Sequence, residues 1–271
     1  MSILSELLHT DKSTKAQKPK ETKQILNEQI EASLKEFDRS NKGLFLSAFT
    51  AGLEVGFSVL FMGTIFTLFG QNISPNVMKV LLALCYPVGF IFVIIGRSEL
   101  FTEHTALAIL PVLKRSVGLK DLFILWGLVY AGNLFGGLVF SFIISKLGTK
   151  IGFVSPDALT HMAEHLIHHD WSTIFLSALL AGWMMGLLGW LITSSQDTMS
   201  RIFVIILVTS IIGVAGLHHC IVGSIEVLSG LFSSDSISFQ DYLKFQSFAT
   251  LGNIIGGSVF VSILKFSNIR E

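Results

Sequence analysis

Six long apolar stretches, separated by short polar segments, constrain the fold of this chain most strongly. They lie at about 44–70, 77–113, 121–147, 172–195, 202–232 and 242–266. A run of about 18 or more apolar residues is long enough to cross a bilayer as a helix. Charged residues make up only 14% of the 271 residues, whereas soluble domains carry about 25%. The sequence therefore predicts an all-α membrane protein with six transmembrane helices.

Charge and cysteine content exclude several functional classes. Lysine plus arginine (19) equals aspartate plus glutamate (19), so no net positive field is available to attract nucleic acid. The two cysteines, Cys85 and Cys220, lie in apolar stretches and cannot form a disulfide framework. The sequence shows no signal-peptide pattern, no catalytic triad and no phosphate-binding glycine loop. We therefore expect no enzyme activity, no cofactor and no nucleic-acid partner.

The polar N-terminal segment, residues 1–42, precedes the channel domain at 43–267 and a short cytoplasmic C-terminus at 268–271. Apolar residues at helical spacing predict an amphipathic helix over 21–39. Interleaved glutamates favour packing on the protein's own cytoplasmic face over binding to the membrane surface. Fourteen Lys and Arg residues lie on the side of the termini and four on the opposite side. The positive-inside rule thus predicts cytoplasmic termini in a cell (inner or plasma) membrane.

An internal repeat relates the two halves of the apolar region. The recurring segments are Phe-Leu-Ser-Ala at 45–48 and 175–178, Ile-Ile-Gly at 94–96 and 211–213, and Gly-Asn-x-x-Gly-Gly at 132–137 and 252–257. Three spans per repeat give the halves opposite orientations, and polar segments interrupt the second and fifth spans. Inverted repeats with broken helices are typical of transporters and channels, with the site near the bilayer midplane.

Ionisable residues inside the apolar stretches predict a polar pathway, because charge in lipid is costly. They are Glu54, Arg97, Glu99, Glu103, His104, His218, His219 and Glu226. Aligning Ile94 with Ile211 places Thr102 opposite His219, so we expect these two side chains to meet at the pore centre. We also expect Glu54 to pair with Arg97 or another group at the second-span break.

Two further groups of residues are candidates for the pore. Apolar constrictions around the centre are predicted at Tyr86, Phe90, Leu100, Phe101 and Ile212. A helix in an outside loop carries a histidine cluster and is predicted to line a solvated vestibule, with His161, His165, Leu166, His168 and His169. Zinc binding by these histidines is the less favoured alternative, so no metal site is predicted.

These motifs resemble the formate/nitrite transporter family over residues 44–266. The most specific segments are 96–102, which ends in Leu-Phe-Thr, Cys-Tyr-Pro-Val-Gly at 85–89, Gly-Leu-His-His at 216–219, and both Gly-Asn-x-x-Gly-Gly segments. The resemblance implies an aquaporin-like protomer of inverted repeats, assembled as a homopentamer with one pore in each protomer. It also implies that Thr102 and His219 are the central threonine and histidine, and that the five apolar residues above occupy constriction positions.

The chain departs from the family pattern in groups that would attract an anion. Leu166 stands where the family usually has a vestibule lysine, and His218 stands where an acidic residue commonly precedes the central histidine. Gly182 and Gly223 replace family asparagines. The resemblance therefore implies the fold more firmly than the substrate.

The resemblance implies a channel or transporter for small monovalent weak-acid anions, namely formate, with nitrite as a second candidate. Because a bare anion crosses an apolar constriction only at severe cost, we expect it to gain a proton near His219 and cross as the neutral acid. The expected partners are the substrate, protons, the lipid bilayer and further copies of the chain. The alternatives are another weak acid or neutral solute, and a non-transporting membrane sensor or scaffold.

Overall fold

A computed structural model describes residues 18–70 and 72–270, with the side chains of 261 and 270 excepted. Every regular element within these ranges is a helix, and six helices are long and apolar enough to cross a membrane. This result confirms the predicted all-α class with six spans. Residues 1–17, which belong to the predicted N-terminal segment, lie outside the described residues.

The first half of the chain contains the N-terminal helix and spans one to three. Its helices are α1 (Thr22–Phe37), α2 (Asn41–Phe69), α3 (Pro75–Cys85), α4 (Pro87–Gly96), α5 (Phe101–Leu107), α6 (Ile109–Leu113), α7 (Leu119–Ile143) and α8 (Thr149–Ile151). A π-helical turn, Ile144–Gly148, joins α7 to α8. The second span comprises α3 and α4, and α5 begins after an irregular segment at 97–100, so this span is broken as predicted.

The second half repeats this order after a connecting helix. Its helices are α9 (Pro156–Ile167), α10 (Trp171–Ser194), α11 (Thr198–Ala215), α12 (Val222–Leu231), α13 (Phe239–Gly257) and α14 (Leu264–Arg270). A π-helical segment, Ser258–Ile263, joins α13 to α14. The fifth span is also broken, because α11 ends at Ala215 and α12 begins at Val222.

Side-chain caps fix where most of the long helices begin. The capping residues are Ser40, Ser74, Ser155, Asp170, Asp197 and Ser238. Each accepts a hydrogen bond from a backbone N–H in the first turn, which satisfies a group that the helix itself leaves unpaired. The polar segments between apolar stretches therefore set where these helices begin.

Two helix pairs, α2 with α7 and α10 with α13, pack with their backbones in close contact. A methyl group at Gly52 would overlap the carbonyl oxygen of Asn133, and one at Gly182 would overlap that of Asn253. Small residues at such crossings allow helices to approach closely in lipid. The matching contacts show that the two repeats share one packing arrangement.

The backbone at the two breaks corrects the register of the repeat. Helix α4 is capped by Arg97 with a φ of 60°, and α11 is capped by Gly216 with a φ of 65°. These left-handed residues are counterparts, which makes His219 the counterpart of Leu100. The alignment that placed Thr102 opposite His219 is therefore wrong by two residues. Isoleucine and glycine are frequent in apolar helices, so the Ile-Ile-Gly match did not mark equivalent positions.

The N-terminal helix α1 lies against the ends of the transmembrane helices. Its apolar face buries Ile25, Leu26 and Ile30 in a cluster that includes Leu110 and Trp190. Burial of this face, rather than intrinsic helix propensity, accounts for most of the stability of such a helix. The same contacts place α1 beside α6, which follows the second-span break.

Candidate functional site

Thr102 and His219 meet between the half-helices that follow the two breaks. Thr102 lies in the first turn of α5 and His219 three residues before α12, and both are buried. Thr102 Oγ1 lies 2.8 Å from His219 Nε2. The structure thus brings together the two residues predicted to form the pore centre, although they are not counterparts in the repeat.

The hydrogen bonds of His219 assign its tautomer. Its Nδ1 accepts the backbone N–H groups of Ile221 and Val222, both at 3.3 Å. Because these donors occupy Nδ1, the ring hydrogen is assigned to Nε2, which donates to Thr102 Oγ1. His219 therefore caps the start of α12. A second proton on Nδ1 would face two N–H donors and the positive end of a helix, so this geometry favours a neutral imidazole.

Two asparagines hold the irregular segments at the breaks. Asn133 accepts the N–H of Phe101 and donates to the carbonyls of Ala48 and Glu99, all at 2.8 Å. Since Asn133 is fully buried, these bonds satisfy backbone groups that water cannot reach. The segment before α5 is thereby fixed to both α2 and α7.

Asn253 makes the equivalent contacts in the second repeat. It accepts the N–H of Cys220 at 2.8 Å and donates to the carbonyls of Ala178 and His218 at 2.7 and 3.0 Å. Sequence reasoning assigned the Gly-Asn-x-x-Gly-Gly segments to packing and gave the asparagines no role. The recurrence of an amide beside small residues was the available signal.

The five apolar residues predicted to form constrictions differ in their contacts. The ring of Phe90 lies edge-on to His219 with centroids 5.3 Å apart, and Tyr86 lies 5.3 Å from Phe90. Leu100 and Ile212 are fully buried. Phe101 packs toward α7, where its ring lies 4.8 Å from that of Tyr130. Tyr86, Phe90 and His219 therefore form a continuous line of rings.

A cavity of about 310 Å³ opens at the end of the molecule opposite α1, and we call it the vestibule. Its lining includes Met62, Phe66, Lys79, Tyr86, His161, His165, Leu166, Ile212 and Glu226. Because Tyr86 and Ile212 belong to this lining, the vestibule reaches the predicted constriction. Partial burial and the neighbouring His169 and Lys79 lower the pKa of His165. His165 therefore does not supply the fixed positive charge of a lysine.

The other predicted vestibule histidines do not line this cavity. His168 ends α9 and is exposed, whereas His169 contacts the ring of His218 at 5.5 Å. His218 bonds to Ser177 Oγ at 2.8 Å and to the Leu166 carbonyl at 3.1 Å, which gives it a structural role. Among the described residues, no three His, Cys, Asp or Glu side chains are arranged to hold a metal ion.

A charged cluster joins α1 to the second-span break. Arg39 Nη1 lies 2.6 Å from Glu36 and 2.5 Å from Glu99, and Glu99 also bonds to His104 Nε2. Burial, together with the Glu99 carboxylate, raises the pKa of Glu36. Glu99 and His104 were predicted as pore-associated groups, and the structure shows that they connect the break to α1. Sequence reasoning gave Arg39 no role here, because nothing in the pattern shows contact between residues 60 positions apart.

The expected ion pair between Glu54 and Arg97 is absent. Neither residue belongs to the four ion pairs found within the described ranges. Glu54 does lie at the break, because a methyl group on Gly96 would be 3.7 Å from its Oε1, and its Oε2 is buried without a hydrogen-bond partner. Arg97, the left-handed residue that ends α4, is exposed on the protomer surface, so its guanidinium does not depend on a buried carboxylate partner. Glu103, which follows Thr102 in α5, is only partly buried.

Comparison of the sequence with known proteins gives two consistent findings. A family model described as Formate/nitrite transporter matches residues 23–267. The chain is 32% identical over 242 residues to Inner membrane protein YfdC of Escherichia coli strain K12, covering 88% of this chain and 75% of that protein.

Solved structures show the same fold. A structure named FNT family ion channel matches with a TM-score of 0.81 at 22% identity, covering 90% of this chain and 98% of the other. A pentameric formate channel with formate bound matches with a TM-score of 0.71 at 24% identity, covering 85% and 98%. The overall fold described above therefore occurs in these two solved structures.

Proposed function

The chain belongs to the formate/nitrite transporter family, and from this premise we propose that it is a channel or transporter for small monovalent weak-acid anions, formate first and nitrite second. The observation that carries the proposal is the Thr102–His219 pair, a buried polar spot at the meeting point of two broken helices. An intramembrane polar pair of this kind usually lies on a substrate path.

The surroundings of this pair favour passage of the neutral acid. The Phe90 ring and the buried Leu100 and Ile212 side chains provide apolar surface near the centre. A bare anion would lose its hydration there without a compensating charge, whereas a neutral acid loses much less. His219 Nε2–H can donate to the acid's carbonyl oxygen, and Thr102 Oγ1 can accept its O–H. The central histidine thus acts by hydrogen bonding, and the proton is gained before this point.

Similarity to a pentameric channel supports the proposed assembly, and the distribution of Lys and Arg supports the proposed orientation in the membrane. We propose a homopentamer with one pore in each protomer, supported by the similarity to the pentameric formate channel. The large apolar surface that the protomer exposes along its spans provides area for both lipid and neighbouring copies. The excess of Lys and Arg near the termini supports cytoplasmic termini in an inner or plasma membrane.

Uptake of labelled formate into proteoliposomes, with and without an inward proton gradient, tests this function. We expect saturable uptake that increases as the external side is acidified, and uptake of nitrite in the same assay. Absence of flux for every small weak acid tested, with an intact pentamer, would contradict the proposal and favour a sensor or scaffold.

One observation favours a second cargo class. Leu166 lines the vestibule at the position where the family resemblance places a lysine, which removes a fixed charge that would attract anions. A small neutral solute is therefore the second candidate. Its flux in the same liposomes, unaffected by pH and greater than that of formate, would support it.

A further inference from the structure

The vestibule contains a carboxyl group that the proposed pathway does not yet use. Glu226 lies in α12 and lines the cavity together with Lys79, His161 and His165. Its side chain makes no hydrogen bond or ion pair within the part of the chain that the structure describes. Because a partly buried carboxylate without a partner is costly, packing alone does not explain Glu226.

The position of Glu226 connects it to the centre of the pore. Glu226 and Tyr86 line the same cavity. Tyr86 contacts Phe90, and the ring of Phe90 contacts His219. The carboxyl therefore stands in the cavity on the vestibule side of the constriction, where an entering anion has not yet lost all of its water.

A carboxylate at this point would repel the proposed substrate, whereas a carboxylic acid would attract it. A protonated Glu226 can donate a hydrogen bond to one oxygen of an incoming anion. His219 is poorly suited to supply the proton, because its Nδ1 is occupied by the N–H groups of Ile221 and Val222. Among the described residues that line the vestibule, Glu226 is the one carboxyl, and its oxygens are free to form a hydrogen bond with an incoming substrate.

We propose that Glu226 is the proton donor that converts the anion to the neutral acid in the vestibule, an inference that rests on the proposed transport function. The O–H bond of the Glu226 carboxyl breaks, and a lone pair on an oxygen of the anion forms the new O–H bond. Glu226 is left as a carboxylate and recovers its proton from water in the open vestibule. One proton therefore crosses with each anion.

The charged and titratable groups around Glu226 are consistent with this cycle. Lys79 comes from α3, His161 and His165 come from α9, and Tyr86 lies between α3 and α4. Lys79 attracts the anion into the cavity, and the imidazoles of His161 and His165 line the same cavity as the carboxyl. Donation moves negative charge from the substrate to Glu226, so the charge of the vestibule is unchanged until reprotonation.

Paired variants test the donor in proteoliposomes. Glu226→Gln should reduce formate uptake about a hundredfold at external pH 7.5, a typical loss on removing a general acid. The deficit should shrink at pH 5, where more formic acid enters directly. Glu226→Asp should keep the wild-type shape of the pH profile at lower amplitude. Glu164→Gln is the matched control, because Glu164 lies on α9 near the cavity but bonds to Ser236 and does not line the vestibule.

An infrared difference spectrum provides a readout that is independent of flux. Adding formate to wild-type protein should shift a protonated-carboxyl band, because the Glu226 O–H then donates a hydrogen bond to the anion, and this shift should be absent in Glu226→Gln. Flux in the wild type without the band change, or an unchanged pH profile in Glu226→Gln, would overturn the donor role alone. Absence of both flux and band change in the wild type would overturn the transport function as well. If Glu226→Gln does not assemble, a flat profile in Glu226→Asp would overturn the proposal.

Discussion

Replacing His219 by asparagine separates hydrogen bonding from proton transfer at the proposed pore centre. The asparagine Oδ1 can take over the role of Nδ1 in accepting the N–H groups of Ile221 and Val222, and asparagine is among the best helix caps. The shorter side chain does not reach Thr102 Oγ1, which lies 2.8 Å from the imidazole Nε2. The substitution therefore removes one hydrogen bond at the centre and keeps the cap.

The expected loss of flux follows because the same substitution removes the Nε2–H that is proposed to donate a hydrogen bond to the passing acid. A buried hydrogen bond contributes about 1 to 1.5 kcal/mol, and every ~1.4 kcal/mol in a barrier changes a rate tenfold. We therefore expect His219→Asn to take up formate about five- to tenfold more slowly than the wild type. The midpoint of the pH profile should not move, because His219 stays neutral in this account. The thermal midpoint of the pentamer should fall by only a few degrees.

The assay is uptake of labelled formate between external pH 5 and 8, with oligomeric state and thermal melting measured on the same preparations. His168→Asn is the control, since it removes an exposed imidazole at the end of α9, outside the vestibule lining. A flattened pH profile in His219→Asn alone would show that His219 is itself the titrating group. Loss of the folded pentamer would show that its role is structural. Either result would refute this reasoning.

Two further substitutions test the packing and the cluster at α1. Gly182→Ala places a methyl group against the Asn253 carbonyl and should lower the melting temperature. The control is Gly189→Ala, whose methyl group meets nothing within 4 Å and which should leave the melting temperature unchanged or raise it. Equal effects of the two substitutions would contradict the close approach of α10 and α13. Burial and the Glu99 carboxylate raise the pKa of Glu36 above its ordinary value of 4.5. Glu36 therefore stabilises the docked position of α1 fully below pH 4.5, and this stabilisation is lost as the pH rises through the raised pKa. Limited proteolysis should therefore cleave α1 faster at pH 8 than at pH 5, and Glu36→Gln should remove this difference in rate. If the difference persists in the variant, another titrating group is responsible for the pH dependence.

The sequence was sufficient to predict the spans and to single out Thr102 and His219, which the structure brings into contact. Long apolar stretches predict transmembrane helices, because backbone N–H and C=O groups in lipid must form hydrogen bonds within the protein. Polar interruptions predict breaks in those helices for the same reason. Thr102 and His219 were therefore identifiable as polar residues at the two breaks. Their contact was predicted from an incorrect register, and it occurs because both half-helices begin near one point, not because the two residues are symmetry-related.

The parts that sequence reasoning missed depend on geometry over long separations. The left-handed residues at Arg97 and Gly216 set the repeat register, and backbone conformation at a non-glycine residue such as Arg97 has no reliable sequence signal. The contact of Arg39 with Glu99 and the separation of Glu54 from Arg97 depend equally on how helices are placed. Charge and apparent depth suggest candidate pairs, but only side-chain direction decides which of them form.

The ratio of protons to formate ions transported is the most direct test of the central claim. The assay uses proteoliposomes that contain a pH-sensitive dye and a potential-sensitive dye, with labelled formate added to the external solution. The two dyes report the entry of protons and of charge, and the label reports the entry of formate. Passage of the neutral acid between Thr102 and His219 predicts one proton for each formate and no change in membrane potential. Formate entry that builds a negative potential inside the vesicles, with no accompanying acidification, would contradict the account.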